Sequence, residues 1–125
     1  MKCGIDIVDI PRVALLVQRH EHASLSRIWT CNEMQESTTT KNVLKIESLA
    51  AKFACKEAVA KALGTGFGGK GVQPAEIEVL RNSFGEPIVT LSGKTAQYFA
   101  ECGFISISVS LTHANSVAAA ICIIE

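Results

Sequence analysis

Two acids stand where the pattern of this chain calls for apolar side chains. Asp6 lies in Cys3-Gly4-Ile5-Asp6-Ile7-Val8, where a period of two predicts a strand with Asp6 in its interior, between apolar neighbours. Glu57 lies in Phe53-Ala54-Cys55-Lys56-Glu57-Ala58-Val59-Ala60-Lys61-Ala62-Leu63-Gly64. On a helix it projects between Phe53 and Ile46 on one side and Ala50 and Ala54 on the other, with Lys61 one turn further along. Burying an unpaired carboxylate costs several kcal/mol, so each acid needs a base, a hydrogen-bond network or a metal ion. Two acids and one lysine point to a cation site. The plainer alternatives are an i,i+4 ion pair between Glu57 and Lys61, worth about 0.3 to 0.5 kcal/mol when exposed, and an Asp6 held by nearby backbone.

The elements that must carry these groups are legible around them. After the first strand, Pro11 suits an early helical position, and Val13, Leu16 and Val17 form a stripe ending near His20-Glu21-His22. Arg12 and Arg19 fall outside that stripe. A second helical piece is expected over Leu25–Trp29, and Thr30-Cys31-Asn32-Glu33 reads as a capping box opening a third. The long helix runs from about Lys45 to Leu63, without internal Gly or Pro, and stops at Gly64. A hairpin follows, Glu76–Leu80 and Ile88–Leu91 around Phe84-Gly85-Glu86-Pro87, and then a helix from Gly93 to Glu101. Ile105, Ile107, Val109 and Leu111 alternate with Ser106, Ser108, Ser110 and Thr112, a strand by period. His113-Ala114-Asn115-Ser116 turns into the last strand. Strands at both ends around central helices, without repeat or linker, define one α+β domain over residues 1–125, its sheet mostly antiparallel.

Composition narrows the function. Formal charge is balanced at 12 basic and 12 acidic residues, which lacks the footprint of a nucleic-acid binder. Arg12, Arg19 and Arg27 nevertheless form a local basic run. The five cysteines are odd in number and hold no Cys-x-x-Cys pair, which fits a reducing cytoplasm and neither a disulfide scaffold nor a zinc site. No segment has the pattern of a secretory leader, and the apolar tail Val117–Ile124 is too short to span a bilayer. Gly64-x-Gly66-x-x-Gly69 and Gly64-x-x-x-x-Gly69-Lys70 imitate a dinucleotide loop and a P-loop. Both motifs need a preceding strand, whereas a helix precedes this loop, and Gly71 stands where a P-loop carries Ser or Thr.

Gly4-x-Asp6, Phe53-x-x-Lys56-Glu57-Ala58-x-x-Lys61-Ala62-x-Gly64 and Ser110-Leu111-Thr112-His113 together resemble the signature of the 4′-phosphopantetheinyl transferases, most closely the short, holo-[acyl-carrier-protein] synthase type. The likeness extends to Arg27-Ile28-Trp29-Thr30-x-x-Glu33, Glu47-Ser48-Leu49-Ala50, Ile77-Glu78-Val79 and Gly85-Glu86-Pro87. It departs from the usual pattern at Trp29, Lys52 and Glu86. The resemblance implies an antiparallel sheet packed on a long central helix, a homotrimer, and transfer of phosphopantetheine from coenzyme A to a serine of apo acyl carrier protein. It implies Mg2+ held by Asp6 and Glu57, with Lys61 on a phosphate. Lys52, Lys56 and His113 become candidates for the remaining phosphates, and Gly64-Thr65-Gly66 would lie beside the coenzyme. Arg12 and Arg19 would dock the acidic carrier. The base for the serine proton is either a carboxylate or a metal-bound water. An idle module that binds coenzyme A or the carrier without transfer is the alternative.

Overall fold

The computed structural model describes residues 1–125. In chain order the elements are β1 (Lys2–Asp9), α1 (Ile10–Arg19), α2 (His22–Leu25), α3 (Cys31–Glu36), α4 (Ile46–Leu63), β2 (Ile77–Arg81), β3 (Pro87–Leu91), α5 (Gly93–Glu101), β4 (Ile107–Ala114) and β5 (Val117–Ile124). Short 3-10 turns at Gly69–Gly71 and Pro74–Glu76 lead from α4 to β2. The terminal strands form an antiparallel sheet in the order β1-β5-β4, and β2 pairs with β3 as a separate hairpin. This is the expected α+β class. No helix is long and apolar enough to cross a membrane.

The register decides which face of the sheet meets α4. Gly4, Asp6 and Val8 lie opposite Cys122, Ala120 and Ala118, which in turn lie opposite Val109, Leu111 and His113. This face carries the buried Gly4, Ala118, Ala120 and Cys122. The expected first strand forms, and Cys3, Ile5 and Ile7 point away from α4, with Ile5 66% and Ile7 67% exposed. The cause is the closeness of the helix. A Cβ on Gly4 would stand 2.0 Å from the carbonyl oxygen of Ala58, so only glycine fits there, and a slip of one residue would drive an isoleucine into the helix backbone.

α4 is the spine of the core. Its carboxyl-terminal half packs with Ile77, Val79 and the inner face of β5, and its amino-terminal half packs with Val13, Leu25 and Trp29. Gly64 ends it in the left-handed conformation, φ 82°, with its amide bonded to the carbonyls of Ala60 and Lys61. The expected helix over Leu25–Trp29 is replaced by α2 and a turn through Ser26–Ile28, which delivers the Trp29 indole to the Leu49 carbonyl at 3.1 Å. His113 and Ala114 extend β4 beyond the expected strand end, and the turn falls on Asn115, φ 56°.

The capping box of α3 forms. Glu33 N donates to Thr30 Oγ1 at 3.2 Å and Thr30 N to Glu33 Oε1 at 2.9 Å, while the Thr30 hydroxyl donates to Glu78 at 2.6 Å. Thr30→Ala is expected to cost about 1 to 2 kcal/mol, read as a lower urea midpoint at unchanged slope. An unshifted midpoint would mean that water replaces the cap.

Candidate active site

Asp6 projects from β1 toward α4, where the Lys61 ammonium donates to Asp6 Oδ1 at 2.8 Å and to the Ile5 carbonyl at 3.0 Å. The i,i+4 alternative is thereby set aside, since Lys61 pairs with Asp6 and not with Glu57. Glu57, one turn earlier on α4, is half-buried. Its carboxyl is pushed above the ordinary carboxylate range, first by burial and second by the charge of Asp6, with Lys61 acting in the opposite direction. Lys61 is half exposed, and its pKa is raised chiefly by its hydrogen bond to Asp6. Two acids thus repel across one site that a single ammonium only partly neutralises.

The pair opens onto a cavity of about 420 Å³ walled by Asp6, Glu57, Arg12, Leu16, Trp29 and Phe53. The donor set suits a hard cation: Asp6 and Glu57 supply one carboxylate each, and open coordination positions are left for water and substrate oxygens, as magnesium prefers. No three His, Cys, Asp or Glu side chains converge into a metal cage anywhere in the chain.

Of the other residues singled out in the sequence, Gly64, Thr65 and Gly66 follow Lys61 at the same end of α4, with Gly66 also at positive φ, 64°. Arg12 and Arg19 are exposed on α1 and join no ion pair. His113 lies elsewhere, in a groove of about 170 Å³ with Lys45, Ser48, Lys52 and Arg81. That groove shares no residue with the Asp6–Glu57 cavity.

Of the two remaining lysines, Lys56 is corrected as a phosphate ligand and Lys52 is held in an ion pair. Lys56 is completely buried, and its three donors go to Glu33 Oε1 at 2.7 Å, the Pro74 carbonyl at 2.9 Å and the Ile77 carbonyl at 2.6 Å. Burial lowers its pKa, and the charge of Glu33 opposes that shift. Lys52, 3% exposed, is bonded to Glu36 and to the Val79 carbonyl. Lys56, with every proton committed inside the core, has none to offer a phosphate, whereas Lys52 has two partners and lines the His113 groove.

Sequence reasoning missed Glu33 and Glu36 as the partners, and missed Trp29, Phe53 and Leu16 as the cavity wall. A signal existed. Lys52 and Lys56, one turn apart on the buried side of α4, require two acids about one turn apart, and Glu33 and Glu36 on α3 are so placed.

A strand-borne aspartate and a helix-borne Glu-x-x-x-Lys meeting across an α+β fold define a class, and residues 2–122 match the 4′-phosphopantetheinyl transferase superfamily. The chain belongs to that family. It is 39% identical over 125 residues to the holo-[acyl-carrier-protein] synthase of Ruminiclostridium cellulolyticum, covering all of this chain and 92% of the relative. It is 43% identical over 120 residues to that of Carboxydothermus hydrogenoformans, covering 96% and 94%. Among solved structures, the Helicobacter pylori holo-[acyl-carrier-protein] synthase in complex with coenzyme A superposes with a TM-score of 0.84 at 31% identity, over 98% of this chain and 99% of that one. The Neisseria meningitidis enzyme gives 0.86 at 29% identity, over 99% and 97%.

Proposed function

We propose that this chain is a holo-[acyl-carrier-protein] synthase, one domain over residues 1–125, that moves 4′-phosphopantetheine from coenzyme A to a serine of apo acyl carrier protein. The observation that carries the reading is the Asp6–Lys61–Glu57 cluster at the edge of a cavity, in a chain whose full-length relatives bear that name. In the reaction the serine oxygen forms a bond to the phosphorus that bears the pantetheine. The bond from that phosphorus to the bridging oxygen of the diphosphate breaks, and adenosine 3′,5′-bisphosphate leaves.

Asp6 and Glu57 would hold Mg2+, which when bound neutralises diphosphate charge and the charge that develops on the leaving oxygen. Lys61 is half exposed and lies one turn from Glu57, so its ammonium can pass from Asp6 to a phosphate oxygen without burying a bare charge. The serine proton leaves to a carboxylate of the Asp6–Glu57 pair or to a water that the pair holds. Gly64-Thr65-Gly66 borders the coenzyme on the Lys61 side.

The outer sheet face supports assembly as a homotrimer. Ile5, Ile7 and Ile121 are 66%, 67% and 41% exposed on it, an apolar patch that a lone protomer leaves in water. In such an assembly the His113 groove of one protomer would complete the coenzyme site beside Asp6 and Glu57 of the next. The free thiols suit a cytoplasmic enzyme.

The test incubates the protein with coenzyme A, apo carrier protein and Mg2+ and follows the carrier's mass. A gain of one phosphopantetheine, abolished by a chelator, is the expected result. Binding of coenzyme A without any gain overturns the transferase reading and leaves an idle binding module. For docking, Arg12→Glu is expected to raise the KM for carrier about tenfold and to flatten its salt dependence. An unchanged KM and salt slope would place the carrier elsewhere.

A further inference from the structure

α4 leaves only a narrow stripe unburied past its first turn, Phe53, Glu57 and Lys61 at four-residue spacing. Buried residues fill the rest of its circumference from Leu49 to Leu63, many of them alanine, so apolar burial alone sets the rotation of the helix about its axis only coarsely. Directional bonds refine that setting, and they are concentrated on the side facing α3 and β2. Lys56 and Glu33 are both 0% exposed. Lys56 reaches the carbonyls of Pro74 and Ile77 as well as Glu33. Glu33 accepts from Thr30 N with the same oxygen that meets Lys56, and from Val79 N at 2.9 Å with the other. No buried side-chain nitrogen or oxygen lacks a partner.

We propose that the Glu33–Lys56 pair is the register lock of α4. Lys56 is thereby a positioning residue for the transfer, aiming Glu57 and Lys61 at Asp6 and anchoring the far end of the Gly64–Gly71 loop. This rests on the functional reading above. Consecutive helical residues diverge by about 100°, so Lys56 drawn toward β2 leaves Glu57 turned toward β1 and the cavity. The anchor on Pro74 holds the chain where the glycine loop re-enters the fold. Buried ion pairs contribute little net stability compared with apolar groups of similar volume, and their best-attested use is to specify register.

The test replaces the pair by apolar groups, Glu33→Leu with Lys56→Met, and separates folding from aim. The double variant is expected to unfold cooperatively near the wild-type midpoint. Its kcat should fall about 10- to 100-fold, and its Mn2+ affinity, read by electron paramagnetic resonance, should weaken by a similar factor. The KM for carrier should change little, because α1 docks it. Its crystal structure should show the Glu57 carboxylate displaced from Asp6. A folded double variant with wild-type kcat, Mn2+ affinity and Glu57 position overturns the proposal.

Should the double variant not fold, Lys56→Arg keeps the charge and changes the reach, and the same measurements on it decide. Wild-type protein run in parallel separates the two readings. If it transfers nothing, the functional reading fails, and the position of Glu57 in the variant crystal alone supports the lock or overturns it.

Discussion

A Glu57→Gln protein is expected to lose transfer by about a thousandfold and yet to melt above the wild type at neutral pH. The first effect follows from the site. Glutamine keeps the shape of the side chain but removes the negative charge that, with Asp6, would hold the cation, and it accepts no proton. Coenzyme A should still bind, since Lys61 and the Gly64-Thr65-Gly66 loop are untouched.

The second effect follows from the direction of the Glu57 shift. Burial, and then the neighbouring Asp6, raise its pKa in the folded protein, so the fold favours the protonated form. Between the unfolded and folded values the native state binds more protons than the unfolded chain. Stability is therefore greatest below the unfolded value and declines as pH rises through the folded one. At neutral pH the ionised Glu57 weakens the fold, and glutamine removes that cost.

Melting temperatures taken from about pH 4 to pH 7, across the carboxylate range, should show the variant drawing ahead as pH rises, while carrier mass reports the lost transfer. Retained transfer would remove Glu57 from the chemistry. A variant that melts below the wild type at every pH would show that the ionised carboxylate gains more from Lys61 than it loses by burial.

What could be read from the sequence divides along physical lines. Local rules carried well: the Thr30–Glu33 capping box, the Gly64 stop, the α5 span and, from Ile107 on, the alternation in β4 all form, while Ile105 stays exposed outside the strand. Each depends on residues within a few positions of one another. Asp6, Glu57 and Lys61 do come together, Asp6 paired with Lys61 and Glu57 close enough to feel both charges. The face of β1 was not legible in the same way. A period of two is symmetric, and here the more apolar face, Cys3, Ile5 and Ile7, is the one turned away from α4, so the decision falls to what packs on the strand. Gly4 was the clue, since a glycine inside a strand marks a backbone that comes close. Lys52 and Lys56 misled because lysine is usually a surface residue, and the acids that hold them lie 16 and 23 positions away in the chain.

That clue at Gly4 carries a large stability effect. Gly4→Ala is expected to destabilise the fold by about 3 to 5 kcal/mol, enough to leave much of the protein unfolded in a domain of ordinary stability. The added Cβ would lie 2.0 Å from Ala58 O, 2.7 Å from Ala62 N and 3.0 Å from Ala58 C. All are backbone atoms of α4, so no side-chain rotation relieves the overlap, and the helix itself must withdraw. Withdrawal separates Asp6 from Lys61 and opens the seam over Ala118 and Ala120, where small side chains admit the same close packing.

Gly64→Ala is the control. Its φ of 82° strains any larger residue, but nothing lies within 4 Å of a Cβ there, so only about 1 to 2 kcal/mol is at stake. Urea unfolding of both variants decides between strain and collision. If Gly4→Ala proves no costlier than Gly64→Ala, the helix has room to move and the close approach does not set the site. If it proves much costlier, the glycine that lets α4 rest on β1 is the same residue that brings the aspartate of the strand within reach of the lysine of the helix.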